Sequence, residues 1–247
     1  MMKLFLVGCG TGNPDHITME GLKALRAAQL ILLPVKGTRK SALADIRREI
    51  LTTHLGTDAP QIQTFEIPSR EPDIPYQQAV LRWHDKIAHR WQAALTKASS
   101  PEEVALMIWG DPSLYDSAIR IAERLRPVPE IQVIPGISAI QVLTAAHKIP
   151  LNRLAGDITI MTGRNLRETG IDDSIDNVVV MLDGETSFTT LPADAFDIYW
   201  GAYLGMTEQI LLSGRLADIA DEIINLRAEA RSRHGWIMDS YLLRRRP

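Results

Sequence analysis

Lys3-Leu4-Phe5-Leu6-Val7, closed by Gly8-Cys9-Gly10-Thr11-Gly12, is the stretch on which the fold turns. The run from Leu4 to Val7 is apolar at every position, the pattern of a strand covered on both faces in a parallel sheet; a strand with one wet face would alternate. Thr18 then supplies an N-cap for a helix to about Ala28, with Leu22, Leu25 and Ala28 on one face. A second apolar run, Leu30-Ile31-Leu32-Leu33, ends at Pro34. Strand, helix and strand in that order predict a βαβ unit with a right-handed crossover.

The same alternation continues outward. Ser41 begins a helix to about His54, apolar at Leu43, Ile46 and Ile50, and a third strand follows near Ile62 to Phe65. Pro68, Pro72 and Pro75 hold the next stretch extended. A long helix from Tyr76 to Lys97 carries Val80, Ile87, Trp91 and Leu95 at helical spacing. Val104 to Ile108 is the fourth strand, leading into Trp109-Gly110-Asp111-Pro112, and Ile131 to Ile134 the fifth, leading into Pro135-Gly136. Five strands with intervening helices predict a doubly wound parallel sheet.

After a helix from Ser138 to His147 the strands crowd together: Asp157 to Met161, Val178 to Leu182, Ile198 to Trp200, Gln209 to Leu212 and Trp236 to Leu242, with one clear helix at Ala217 to Ala230. Fewer crossover helices per strand predict a mixed sheet. The expected architecture is therefore two α/β domains, residues 1–136 with a parallel five-stranded sheet and residues 137–247 with a mixed one, and an active site in the cleft between them.

Composition bounds the function. The 247 residues are 45% hydrophobic and 23% charged, with a net charge of −3, which argues against non-specific nucleic-acid binding. One cysteine, Cys9, forbids an internal disulfide or a cysteine-based metal cluster and fits a reducing compartment. Met1 to Gly12 does not read as a signal peptide, and no apolar run reaches the length of a membrane span, so a soluble cytoplasmic protein is expected. His84, His89 and His147 have no partners at ligand spacing and read as core or surface residues, and no metal site is expected.

Three loops leave the carboxyl ends of parallel strands, the edge at which open α/β sheets bind ligands. The glycine loop does not fit a dinucleotide fingerprint, because Gly8, Gly10 and Gly12 alternate and Pro14 interrupts before the helix; no Lys-Ser or Lys-Thr pair follows for a phosphate loop. It reads either as a ligand-facing wall or as a turn permitting close packing. Asp111, between Gly110 and Pro112, is a cleft carboxylate or a turn cap. Ser138 and Ala139 open a helix, where Ser138 can cap and small side chains let a ligand reach free backbone amides.

Together these loops resemble the tetrapyrrole (corrin/porphyrin) methylases. The family's first-strand pattern Gly-x-Gly-Pro-Gly-Asp-Pro-x-x-Leu-Thr reads here Gly8-Cys9-Gly10-Thr11-Gly12-Asn13-Pro14-Asp15-His16-Ile17-Thr18, with Thr11 in place of proline. Its Gly-Asp-Pro-x-x-Tyr matches Gly110 to Tyr115, and its Pro-Gly-x-Ser-Ala matches Pro135 to Ala139, with Ile149-Pro150-Leu151 beyond. Trp109-Gly110-Asp111, Val178 to Glu185 and the ending Trp236 to Arg244 resemble most the members that methylate ring carbon 1 of precorrin-5 and release its acetyl group as acetate.

The resemblance implies S-adenosylmethionine as cofactor, contacted by Thr11, Trp109, Gly110, Asp111, Leu114, Ser138 and Ala139, and by Met181 and Gly205 from the second domain. Met181 reads equally well as a core residue. Lys36 and Tyr115 are the candidates for polarising the acetyl group or moving a proton, against readings as a surface lysine and a packed tyrosine. Some of Lys36, Arg39, Lys40, Arg153, Arg164 and Arg167 would meet the carboxylates of a precorrin substrate. A homodimer is implied as well. The alternatives are methylation of another precorrin carbon, a non-catalytic protein that binds the cofactor or a tetrapyrrole, and a nucleotide-binding oxidoreductase, which the interrupted glycine loop disfavours.

Overall fold

The computed structural model describes residues 1–35 and 42–246. The chain divides into two units, Met1–Ser138 and Ala139–Pro247. In the first, strands β1 (Lys3–Gly8), β2 (Leu30–Val35), β3 (Gln61–Glu66), β4 (Glu103–Ile108) and β5 (Glu130–Ile134) alternate with helices α1 (Met19–Ala27), α2 (Ala42–Leu55), α3 (Tyr76–Lys97) and α4 (Ala118–Ala122). The strands lie in the order β3-β2-β4-β1-β5, and each pair is parallel.

The unbroken apolar run of β1 is explained by its position between β4 and β5, with helices on both faces. Leu4 and Leu6 point to one face and pack with Ile87, Trp91 and Leu95 of α3 and Ile121 of α4. Phe5 and Val7 point to the other and pack with Leu22 and Leu25 of α1 and Ile50 and Leu51 of α2. Each such buried side chain contributes about 1.5–3 kcal/mol relative to exposure, so this strand anchors both layers of the core.

The strand order also fixes where a ligand can enter. From β1 the chain crosses to β2 by α1 on one face, whereas from β4 it crosses to β5 by α4 on the opposite face. Neighbouring strands whose connections leave in opposite directions open a crevice at their carboxyl ends, the switch point of an open sheet. Here that point lies between the loops following β1 and β4.

The structure corrects one boundary in this unit. The second strand does not stop at Pro34 but runs on to Val35, with Pro34 in register with Phe65 of β3. Pairing of β2 with β4 ends at Leu32, so beyond it β2 has a strand neighbour on one side only, where a residue without an N–H is tolerated.

The second unit contains α5 (Ala139–His147), β6 (Thr159–Thr162), α6 (Gly163–Thr169), β7 (Asn177–Met181), β8 (Phe196–Ala202), β9 (Ile210–Arg215), α7 (Leu216–His234) and β10 (Asp239–Arg245). Its sheet runs β6-β7-β10-β8-β9; β6 and β7 are parallel and the remaining pairs antiparallel. A parallel sheet followed by a mixed one is the architecture expected from the sequence. The core gathers Val178, Val180, Ile198, Trp200, Tyr241 and Leu243 from the sheet with Leu216 and Ile223 from α7.

Three of the departures from the sequence reading here have a visible cause. Helix α6 was not expected; at seven residues it is too short to show a period, and it is started by Thr162, whose hydroxyl accepts from the Asn165 N–H at 3.2 Å. The last strand begins at Asp239 rather than Trp236, because Gly235, at φ 73°, ends α7 and Trp236 to Met238 form the lead-in. Leu182 is not in β7: its φ is 54° and it turns the chain out of the sheet. Among the described residues no helix is long and apolar enough to cross a membrane.

Candidate functional site

The three strand-end loops of the first unit are joined through their glycines. Gly10 and Gly110 form an antiparallel bridge, with the Gly110 N–H donating to the Gly10 carbonyl at 2.8 Å and the Gly10 N–H to the Gly110 carbonyl at 3.4 Å. A Cβ on Gly8 would stand 2.6 Å from Gly136 Cα, and one on Gly136 would stand 2.2 Å from the Gly110 carbonyl oxygen. Every one of these obstacles is backbone, so any side chain here would force the loops apart. Gly10 and Gly110 also need positive φ, 78° and 65°. The alternating glycines thus serve close approach of three backbones at the switch point.

Asp111 fastens this arrangement. One carboxylate oxygen accepts from the Ser113 N–H at 2.8 Å and from the Ser113 hydroxyl, and the other accepts from the Gly136 N–H at 2.9 Å. Burial would raise its pKa, but the donors at Ser113 and Gly136 outweigh burial and hold it below the usual carboxylate range. At neutral pH it is an ionised clasp between two loops and has no proton to give. The turn cap and the cleft carboxylate weighed from sequence are the same group, and the cap is the role its contacts record.

Around this knot the other expected residues take up defined places. Thr11 is buried, with its hydroxyl 3.2 Å from Nδ1 of His16. Trp109 is half-buried beneath the guanidinium of Arg47, 5.8 Å from the ring centroid. Leu114 and Ala139 are half-buried and Ser138 is buried. Gly110 is buried, and a Cβ on it would make an ordinary contact with Ser138 Cα at 3.8 Å, so the β4 loop lies against Ser138. Tyr115 sits at φ 52° and is 44% exposed, and partial burial raises its phenol pKa, keeping it protonated at neutral pH.

In the second unit Met181 ends β7 half-buried, and it does not join the main core cluster. Gly205 lies in the turn after β8 at φ 83°, with its N–H donating to the Gln209 side chain at 2.9 Å. Of the arginines considered for substrate carboxylates, Arg167 donates to the Ser187 hydroxyl at 2.9 Å and pairs with Glu185 at 3.5 Å, and Arg153 donates to the Arg245 carbonyl. Both are engaged within their own unit. Lys36, Arg39 and Lys40 lie outside the described residues. Among the described residues no group of three or more His, Cys, Asp or Glu is placed to hold a metal ion.

Two features were missed from sequence. Arg47 is buried under the crevice, donating to the Met107 carbonyl at 3.1 Å and the Leu43 carbonyl at 3.0 Å while covering Trp109. An arginine at a core-facing position of an amphipathic helix was its only signal. The second is a buried polar network around Asp183, whose members lie as much as 58 residues apart in sequence.

Comparison with known proteins bears on this geometry. A family model described as tetrapyrrole (corrin/porphyrin) methylases matches residues 3–220. A precorrin-6A synthase (deacetylating) from Sinorhizobium sp is 42% identical over 251 residues, covering 99% of this chain and 96% of the relative. The crystal structure of a cobalamin synthesis related protein (CobF) from Corynebacterium diphtheriae superposes with a TM-score of 0.83 at 38% identity, covering 99% of each chain. The uroporphyrin-III C-methyltransferase of Thermus thermophilus, complexed with S-adenyl homocysteine, shares the fold at a TM-score of 0.62 and 15% identity, over 98% of this chain and 91% of that one.

Proposed function

Since the chain belongs to the tetrapyrrole (corrin/porphyrin) methylases, we propose that it methylates ring carbon 1 of precorrin-5 with release of acetate, giving precorrin-6A in cobalamin biosynthesis. The observation that carries this reading is the knot of β1, β4 and β5 loops at the switch point, in a chain 42% identical over nearly its whole length to a precorrin-6A synthase (deacetylating).

The methyl donor is S-adenosylmethionine, and the residues present suit it. The lining combines backbone amides, the ionised Asp111 carboxylate as an acceptor and the small residues Ser138 and Ala139. Such a lining recognises a neutral heteroaromatic and ribose group by shape and hydrogen bonding, and it needs no phosphate cradle. Trp109, Gly110, Asp111, Leu114, Ser138 and Ala139 hold the donor, with Thr11 beside them and Met181 and Gly205 contributed by the second unit. When bound, the donor supplies an electrophilic methyl group. The chain's task at that step is to align the ring carbon and exclude water, for which no strong acid is required.

Acetate release needs water at the acetyl carbonyl and a donor for the developing oxyanion. Tyr115, protonated and partly exposed, is the donor proposed within the described residues, and Lys36 is the second candidate. We take the enzyme to be a cytoplasmic homodimer, which light scattering after size exclusion would check.

Incubating the protein with precorrin-5 and isotopically labelled S-adenosylmethionine tests the assignment. Labelled product and free acetate in equal amounts are expected, with Tyr115→Phe lowering the rate of acetate release about a hundredfold, the contribution of one oxyanion donor. Methylation without acetate would remove the deacetylating step, and cofactor binding with no turnover on any precorrin would favour a binding protein.

A further inference from the structure

Val178 to Glu185 and Trp236 to Arg244 are far apart in sequence, yet in the structure they are tied together by one buried polar network. Asp183 follows β7 by two residues and is buried. Its Oδ1 accepts from the Ser187 hydroxyl at 2.7 Å and the Glu185 N–H at 3.1 Å; its Oδ2 accepts from the Ser187 N–H at 2.6 Å and the Tyr241 hydroxyl at 2.7 Å. Tyr241 comes from β10. The Asp183 carbonyl accepts from Arg227 at 2.7 Å, and the same guanidinium donates to Asp239 at 3.0 Å, which also accepts from the Trp200 indole at 2.9 Å.

This is more than a buried ion pair needs. Four donors converge on one carboxylate, and three of them belong to the short loop from Leu182 to Ser187 that it organises. That loop begins with an anomaly: Leu182 is an apolar residue at φ 54° with 64% of its surface exposed. A left-handed, solvent-facing leucine costs energy twice over, through its backbone and through its exposed side chain, and such strain persists only where surrounding structure enforces it. The Asp183 contacts are what enforce it, one residue further on. Gly163 completes the seat, because a Cβ there would lie 2.4 Å from Asp183 Cγ.

We propose that Asp183 is a positioning residue: its buried carboxylate, gripped by Tyr241 and Ser187, sets the turn after β7 and so presents Met181 and Leu182 to the methyl donor, Leu182 as an apolar wall. This rests on the reading, given above, that Met181 contacts S-adenosylmethionine. The carboxylate needs no titration to do this. Burial pushes its pKa up, but Tyr241, Ser187 and Glu185 as donors bring it below the usual range, so it stays ionised throughout the working pH.

The test uses the full chain and S-adenosylhomocysteine as the calorimetric probe, with kcat and KM for S-adenosylmethionine measured alongside. Asp183→Asn turns an amide NH2 toward the Ser187 N–H or the Glu185 N–H, donor against donor, and Tyr241→Phe removes one donor at almost constant volume. Gly163→Ala displaces the carboxylate from the opposite side. Each is expected to raise Kd for the probe, about tenfold for Asp183→Asn and somewhat less for Tyr241→Phe, on the scale of a charge-assisted hydrogen bond. KM for the donor should rise by a similar factor, and kcat should change less. Phe196→Leu, a core change in the same sheet, supplies the comparison for stability alone. Equal losses of melting temperature with a normal Kd in Phe196→Leu and a raised Kd in the other three support the proposal. A normal Kd in the folded Asp183 and Gly163 variants, or a Kd that follows melting temperature across all four, overturns it. If the unmodified protein itself fails to bind the probe, the functional reading has failed instead.

Discussion

Replacing Gly136 by alanine should be severely destabilising. The new Cβ would lie 2.2 Å from the Gly110 carbonyl oxygen, 2.7 Å from Gly8 Cα and 2.8 Å from the Gly8 carbonyl carbon. A carbon relaxes against a carbonyl oxygen only near ~3.3 Å, so the β5 loop must retreat by about 1 Å. All three obstacles are backbone atoms of neighbouring loops, so no rotamer change relieves the clash. The retreat would stretch the bond from the Gly136 N–H to Asp111, now 2.9 Å, to roughly 3.9 Å, beyond hydrogen-bonding range. Overpacking at about 1–3 kcal/mol and loss of a bond to a carboxylate at about 1.5–3 kcal/mol together give roughly 2.5–6 kcal/mol. For a unit of this size that corresponds to a melting temperature lowered by about 10 °C or more. The assay is a thermal melt followed by calorimetry with S-adenosylhomocysteine, and affinity should fall together with stability. Gly214→Ala is the matched control, since a Cβ there first meets Ile219 at 3.4 Å, an ordinary contact. A Gly136→Ala protein that melts within ~2 °C of the parent and binds the probe normally would refute the claim that these glycines exist for close approach.

Asp111→Ala should weaken cofactor binding and cost roughly 2 kcal/mol of stability at neutral pH, by freeing the Ser113 and Gly136 N–H groups; unchanged affinity by calorimetry would remove the residue from the site. Because its folded pKa is depressed, this contribution is complete above the unfolded carboxylate pKa near 4 and is lost as pH falls through the folded value. His84 on α3 is buried, and among the described residues neither ring nitrogen has a hydrogen-bond partner. Burial, and then the charges of Arg124 and Arg120, lower its pKa against a smaller opposing effect of Asp85, so its folded form resists protonation. Stability should therefore drop as pH falls below about 6.5, and His84→Leu should raise the melting temperature by a few degrees, more at pH 5.5 than at pH 8. Equal shifts at the two pH values would contradict this.

The first unit was legible in the sequence because its organisation is local. β1 and β4 are apolar runs leading to a glycine, β5 is followed directly by a proline, and α3 is long enough to show its period, so these four could be placed almost to the residue, whereas the five-residue α4 was too short to show one. The strand order was less accessible. Nothing in the first βαβ unit announces that β4 will lie between β1 and β2, since that follows from where α3 returns the chain. The continuation of β2 past Pro34 was hidden for a related reason: a proline is tolerated there only because pairing with β4 has already ended.

The two units also differ in how their functional loops are held, and this decides what a sequence reader can find. In the first unit the loops touch through backbone, at Gly8, Gly10, Gly110 and Gly136, and backbone contact has to be written as glycine at the point of contact. The requirement is therefore visible as a motif within a few residues. In the second unit the turn after β7 is held by side chains that reach it from elsewhere: Tyr241 across the sheet, Arg227 from α7, and Asp239 behind Arg227. Any of these residues alone reads as an ordinary strand tyrosine, a helix arginine or a strand-edge aspartate. Leu182 likewise read as one more apolar residue of the strand, because its left-handed backbone is imposed by a neighbour and not by its own chemistry. A site built on glycine contacts announces itself locally, whereas one built on a buried carboxylate emerges only when the residues that satisfy it are seen together.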